Sequence, residues 1–375
     1  PPLASIMRIV LLLVLACVAL SFPIESQDAS VVEEESWFSL SSWSNSVSKK
    51  DKSICEDLDW RKYSFKLAQE LPAAGLFRDL HGSFKWETSG MDAVDGKIYM
   101  IFDSLAFIGK TDEMFQYRDP KNKLITHPGE AESGFEAIQY SPDTDTFLIV
   151  REAVPSGVDT WTPSVVEAKI NGDTYEIVRE CPADYTFDTE NKGWEGGLYF
   201  FQDGVRYFLG LCEGNSCEGG DKGKEKGKGM AILTKLKLDD DGKCLWEFVQ
   251  EVPIPKEAEF QDYSDLALWG DNIAVVSQEE SAVWIGTLDT KLWEINGPGI
   301  VYHFPRDPHC EMIYCNIEGI VFLDEYRLMT SSDKSKSRQP YNCVEKDQGV
   351  QVFYLPKPLE PAPAKQSIAE TQAEI

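Results

Sequence analysis

The sequence predicts an all-β fold, a five-bladed β-propeller closed by pairing its N-terminal and C-terminal strands. Two observations carry this. From about residue 60 to residue 355, short runs rich in Val, Ile, Tyr, Phe and Trp are split by Gly, Asp and Pro, and few stretches have a helical period. The runs also repeat as doublets: five times an acidic residue opens a run, and a second acidic residue closes the run after it. The opening acids are Asp92, Glu136, Glu195, Asp265 and Glu318, and the closing acids are Asp103, Glu152, Glu213, Glu279 and Asp333. The opening acids lie 44, 59, 70 and 53 residues apart, the scale of propeller blades.

The elements follow in order. The opening runs are SGMDAV (89–94), SGFEAIQY (133–140), KGWEGGLYF (192–200), DYSDLALW (262–269) and CNIEGIVFL (315–323). Each is followed across a turn by a second run: KIYMIFD (97–103), FLIVRE (147–152), YFLGLCE (207–213), IAVVSQE (273–279) and RLMTSSD (327–333). Third and fourth runs are legible at 164–170 with 175–181, 230–238 with 244–252, and 282–288 with 299–305. The last unit has only 349–355 after its first two, so its missing outer strand is assigned to WRKYSFKL (60–67). Closure of this kind hides sheet edges that would otherwise template aggregation. The stretch 104–132 is less regular, and a sixth, degenerate blade within it is the alternative count.

Residues 1–21 read as upstream residues and a secretory signal, with Met7 and Arg8 ahead of an apolar Ile9–Leu20 core and cleavage after Ser21. That core is short of the ~20 residues a membrane span needs, and no later run is long and apolar enough to span. Residues 22–56 are rich in Ser, Asp and Glu and read as a flexible lead-in, 57–355 as the propeller, and 356–375 as a Pro-rich disordered tail. Eight cysteines remain after the signal, an even count that favours disulfides in a secreted, extracellular chain. Cys212/Cys217 and Cys310/Cys315 are close enough in sequence to pair locally; the remaining connectivity is open. The spacings do not match a zinc site.

The formal net charge of −27 makes nucleic acid and anionic membranes poor partners and favours cations or a basic partner. A monomer is expected. In a propeller the first strand of each blade is innermost and the second runs antiparallel to it. The start of strand one and the end of strand two therefore share one face, and both acid sets should crowd one channel mouth. Two carboxylates ~4 Å apart repel by about 4 kcal/mol at an effective dielectric of 20. Protonation, backbone N–H donors, basic partners such as Arg151 or Arg338, or a bound cation must relieve this. A hard cation suits an all-oxygen site, and calcium accepts 6–8 oxygen ligands. The opening acids are the candidate ligands; the closing acids, with Arg151 and Arg338, are candidates for ligand binding or the surrounding shell. For any single acid, simple capping of a strand stays open. Three long loops, 153–163, 214–229 and 334–348, are placed on the same face, where loops on a rigid scaffold carry function.

The runs NKGWEGGLYF (191–200), DYSDLAL (262–268) and NIEGIVFL (316–323), with the acid-ended second strands, resemble the SdiA-regulated and esterase-like, phytase-like propeller superfamily over about residues 85–355. The resemblance implies a propeller with a metal near its channel, and it singles out Glu195 and Glu318, each before Gly, as ligands. Asp92-Ala, Glu136-Ala and Asp265-Leu depart from that acid-Gly pattern. Two functions follow as expectations. One is a secreted module holding calcium at the mouth and recognising an extracellular small molecule, sugar or peptide. The other is a metal-dependent hydrolase of phosphate or other esters. No nucleophile elbow or Ser-His-Asp set is present to support a serine hydrolase.

Overall fold

The computed structural model describes Cys55 and residues 60–77, 85–129, 133–190, 192–336 and 339–360. The signal and lead-in expectations other than at Cys55, Arg338 and the tail from residue 361 lie outside the described residues.

Among the described residues twenty strands follow in chain order: β1 (Lys66–Pro72), β2 (Thr88–Val94), β3 (Lys97–Phe102), β4 (Leu105–Asp112), β5 (Lys123–Thr126), β6 (Phe135–Ser141), β7 (Thr146–Gly157), β8 (Thr160–Asn171), β9 (Thr174–Pro182), β10 (Trp194–Gln202), β11 (Val205–Cys212), β12 (Met230–Leu238), β13 (Cys244–Pro253), β14 (Asp265–Trp269), β15 (Asn272–Ser277), β16 (Ala282–Asp289), β17 (Glu294–His303), β18 (Ile317–Phe322), β19 (Arg327–Ser332) and β20 (Gly349–Tyr354). They pair as antiparallel meanders β2–β5, β6–β9, β10–β13 and β14–β17, with β1 added to β20 beside β19 and β18. The first two meanders are joined at their outer edges by one parallel bridge, Thr126↔Thr174, so they count as a single eight-stranded sheet. The first strands touch in a closed cycle, β2 to β6 to β10 to β14 to β18 and back to β2. This is the architecture of a β-propeller.

The period of two explains how each meander is held. Alternate residues of a strand face opposite sides of the sheet, and here each side is a different core. On β11, Phe208 packs with Trp194, Trp246 and Val150 toward the second meander, while Leu209 packs with Trp284 and Val275 toward the fourth. Five apolar clusters arise this way, each filled from two successive meanders. The second strands are buried on both faces, which is why they read as nearly unbroken apolar runs rather than as alternations.

The ring is closed by β1 on β20. Lys346 Nζ contacts both oxygens of Glu70 at 2.8 and 3.0 Å, and Tyr314 Oη donates to the same carboxylate at 3.0 Å. The closing strand is shifted from the expected 60–67: Trp60–Tyr63 is a 3-10 turn, and β1 starts at Lys66. Phe65 explains the shift, because it is buried against Tyr302, Phe304 and Phe353 and anchors the chain before the strand begins. The stretch 104–132 supplies β4 and β5, the outer strands of the first meander, and no further unit among the described residues. The expected loop 153–163 instead continues the β7–β8 ladder through Val154↔Thr162, Pro155↔Trp161 and Gly157↔Thr160. At the C-terminal end, Leu359 is buried and its N–H donates to the Glu325 carbonyl, so order extends past residue 355.

Among the described residues four disulfides are present: Cys55–Cys310, Cys181–Cys244, Cys212–Cys217 and Cys315–Cys343. Such a set belongs to chains that fold in an oxidising compartment. The local Cys212–Cys217 pair forms; a local Cys310–Cys315 pair does not. The first stretch turns back on itself at Asn215–Cys217, where Ser216 and Cys217 are left-handed. The second runs on, because Met312 bridges back to Arg306 and Tyr314 is drawn into the core. No helix among the described residues is long and apolar enough to cross a membrane.

Candidate functional site: an acidic channel mouth

Three glutamates occupy one structural position. The β6–β7, β10–β11 and β18–β19 ladders each skip a residue on the inner strand, between Phe135 and Ala137, Trp194 and Gly196, and Ile317 and Gly319. The skipped residues are Glu136, Glu195 and Glu318. A bulge of this kind leaves one residue unpaired and re-aims its side chain. Ladder pairing puts Ser89 and Ser264 at the matching places in the other two units, counting back from Met91↔Met100 and Asp265↔Val276.

Asp92 and Asp265 therefore stand apart from the glutamates, contrary to the expectation of a five-acid set. Asp92 accepts the Ala93 N–H at 2.8 Å and the Tyr140 N–H of β6 at 2.6 Å. Asp265 accepts the Leu266 N–H at 2.7 Å and the Ile320 N–H of β18 at 2.9 Å. Each ties its inner strand to the next by capping an edge N–H, a need that buried backbone donors impose. Burial holds both carboxyls up, Asp92 at about 6. Asp92 also lines a different cavity, with Tyr140, Leu198, Tyr199, Phe201 and Leu268.

The closing acids divide similarly. Asp103, Glu213 and Asp333 each follow the end of a second strand, and Glu152 lies within β7 directly after Arg151, the partner of Phe135. In the fourth unit Gln278 takes that place and is buried, while Glu279 is one residue further and exposed. Arg151 pairs with Glu180 at 3.0 Å, and Arg338 lies outside the described residues.

The mouth that results is strongly coupled. Burial, then Asp103 and Glu152, hold the Glu136 carboxyl well above its ordinary range. Burial, then Glu152, Glu136 and Glu213, do the same to Glu195, and burial and Asp333 do so to Glu318. Burial pushes Glu152 up to about 7, although it accepts the Gly193 N–H at 2.9 Å and shares a hydrogen bond with Glu195. Asp333 and Asp262 are held at about 6, again chiefly by burial. One oxygen each of Glu152, Glu195 and Glu213 lie within 4.8 Å of one another. With calcium–oxygen bonds of about 2.3–2.6 Å, three oxygens on one ion span at most about 5 Å, so this triad fits such an ion. Gly193 permits the approach: a Cβ there would fall 2.1 Å from the Glu152 carbonyl oxygen.

Beside the triad lies a cleft of about 210 Å³, lined by Lys192, Glu213, Lys224, Asp262, Gln278 and Lys336 among others. Lys192 is ion-paired with Glu213, and Lys336 Nζ donates to Gln278 at 2.9 Å. The 214–229 loop walls the cleft and is organised by Asn215, which is fully buried. Its amide donates to the carbonyls of Gly223, Phe260 and Gln261, and its oxygen accepts the Lys228 N–H at 2.9 Å and the Tyr263 hydroxyl at 3.1 Å. Sequence reasoning missed Asp262, Lys192, Gln278 and Asn215. A signal was present for Asp262: DYSD offers two acids, and the first, accepting from Ser277 Oγ at 2.6 Å, is the one at the cleft.

These values make a pH prediction. Asp92, Asp262 and Asp333 sit near 6 against an ordinary 3.8, and Glu152 near 7 against 4.5. A raised folded value favours protonation in the fold, so this contribution to stability is complete below about pH 4 and is lost as pH rises through about 7. The metal-free protein is expected to lose melting temperature between pH 5 and pH 8 in a calorimetric series. A profile that rises across that window would contradict the coupling.

No protein-family model matches the chain, and no curated protein matches it. Solved structures align over most of it. A PQQ-bound aldose sugar dehydrogenase from Streptomyces coelicolor aligns with TM-score 0.44 and 13% identity over 78% of this chain and 98% of that one. A glutaminyl cyclase from Myxococcus xanthus gives 0.44 and 11% over 79% and 98%, and a luciferin-regenerating enzyme gives 0.42 and 9% over 76% and 95%. The propeller assignment rests on the ladders and clusters above rather than on these likenesses. Fold and site together define a disulfide-bonded β-propeller with an acidic channel mouth.

Proposed function

We propose that the chain is a secreted five-bladed propeller, each meander being one blade, that holds a divalent cation at its acidic mouth and recognises an extracellular ligand in the adjoining cleft. The observation that carries this is the triad of Glu152, Glu195 and Glu213, with oxygens within 4.8 Å of one another and mutual repulsion to relieve. Calcium is the ion that best suits an all-carboxylate set outside the cell. Glu136 and Glu318 add negative charge at Glu195, and Asp103 and Asp333 add it in turn at Glu136 and Glu318. When bound, the ion supplies a Lewis-acidic centre that takes up oxygen atoms of a ligand. Lys336 and Asp262 lie at the cleft wall to orient that ligand. The four disulfides support secretion, and the resemblance to the phytase-like propellers supports a metal near the channel.

A second reading, hydrolysis of phosphate or other esters, is favoured by Asp262. It is a buried carboxylate at the cleft, held at about 6, as a general base working near neutral pH requires. Metal analysis, thermal melting and an ester and phosphoester panel, each with and without chelator, separate the readings. Calcium-dependent melting without turnover is the expected result for a binding module. Chelator-sensitive turnover lost in Asp262→Asn establishes the hydrolase. If chelation changes neither melting nor turnover, both readings fail.

A further inference from the structure

We propose that Lys192 is a tethered counter-cation: its ammonium holds the cation position in the metal-free protein and must leave that position when a divalent ion binds. The inference rests on the cation reading of the mouth and adds the residue that sets its affinity.

Lys192 immediately precedes Gly193 at the entry to β10. The backbone there is pinned on both sides, because the Gly193 N–H donates to Glu152 and the Gly193 carbonyl accepts the Glu213 N–H at 3.2 Å. The adjoining backbone thus touches two members of the triad, and the Lys192 ammonium is ion-paired with one of them, at Glu213 Oε2. Glu213 stands with Glu195 and Glu152 in the mouth. These three carboxylates are the ones whose oxygens converge. Lys336 also feels Glu318, Glu213 and Glu195, but its Nζ donates to the neutral Gln278 at 2.9 Å, whereas Lys192 is ion-paired with a triad carboxylate.

An ammonium in contact with Glu213 and a divalent ion on the same carboxylate would be like charges a few ångströms apart in a partly desolvated mouth, which is unfavourable. The two therefore compete. Lys192 has somewhere to go, since it also lines the cleft beside Lys224 and Lys336, and a lysine stem is long and flexible enough to swing. The arrangement also accounts for a mouth that folds without its ion: Lys192 and Lys336 already bring positive charge to it.

Two measurements test this. The first is calorimetric titration of calcium chloride into wild type, Lys192→Met and Lys192→Arg at pH 7.5 and low salt. Lys192→Met is expected to bind at least 10-fold more tightly, with Lys192→Arg near wild type. Unchanged or weaker binding in a folded Lys192→Met protein overturns the proposal. If only Lys192→Met binds, the ammonium outcompetes the ion and the proposal stands; if neither binds, the cation reading fails and takes the proposal with it. The second uses the wild-type protein, so it does not depend on a variant folding: limited acetylation read by peptide mass spectrometry. Lys192 is expected to be several-fold more reactive with calcium than with chelator, while Lys237, on a distant strand, is unchanged. Equal or lower reactivity in calcium overturns the proposal.

Discussion

Arg206→Met is expected to lower stability by about 3 kcal/mol, within the range for breaking a buried ion pair, and to drop the melting temperature by roughly 5 °C for a domain of about 300 residues. Arg206 lies on β11 and reaches across to the second meander. Its guanidinium donates to both oxygens of Glu167 at 3.0 and 3.2 Å, to Ser141 Oγ at 2.9 Å, to Thr144 Oγ1 at 2.7 Å and to the Tyr199 hydroxyl at 3.0 Å. It also pairs with Asp143 at 3.1 Å. Glu167 is only 3% exposed, so losing Arg206 leaves a buried carboxylate with Arg179 and Thr146 as remaining partners. Most of the cost is that stranded charge rather than the lost pair itself. The double variant Arg206→Met/Glu167→Gln should therefore recover about 1–2 kcal/mol. Denaturant unfolding of the three variants checks this, and a strictly additive double variant would contradict it.

Glu195→Gln is expected to move two observables in opposite directions. Calcium affinity should fall at least 100-fold, about 2.7 kcal/mol, because a triad member becomes neutral. The metal-free protein should become more stable, by about 1 kcal/mol or more, because Glu195 is buried among Glu152, Glu136 and Glu213 and its charge is unfavourable there. Glu152→Gln should behave alike. Asp92→Asn provides the contrast. It replaces an acceptor of two backbone N–H groups, so it should cost about 1–3 kcal/mol of stability and leave calcium affinity unchanged. The Asp92→Asn cost comes from the second backbone N–H, which would face the amide NH2, and it outweighs the relief of a buried charge.

Much of the fold was legible because the strands are buried on both faces. KIYMIFD, FLIVRE, YFLGLCE and IAVVSQE announce themselves by apolar content, and each is observed as a second strand. The outer strands β4 and β5 were not legible. LAFIGKTD carries Gly and three polar residues, and KLIT is only four residues long; both are recognisable only once β3 offers an edge to pair with. The site was legible to the level of one acidic mouth and no further. The acid-x spacing in the sequence treats Asp92, Asp265 and the three glutamates as equivalent, whereas the bulge decides which side chain is re-aimed, and a bulge depends on cross-strand register. For the same reason Glu279 was preferred to Gln278, one residue away. Lys192 escaped notice because a single lysine before Gly-Trp-Glu carries no pattern; its meaning comes from Glu213, 21 residues later.

The central claim is that the mouth is a cation site built on Glu152, Glu195 and Glu213. Calcium titration by calorimetry at pH 7.5, on chelator-stripped wild type and on the Glu152→Gln/Glu195→Gln variant, tests it most directly. The account predicts saturable binding of one ion per chain to wild type, accompanied by a rise in melting temperature, and neither signal in the variant. Absence of binding to wild type, or equal binding by the variant, would contradict it.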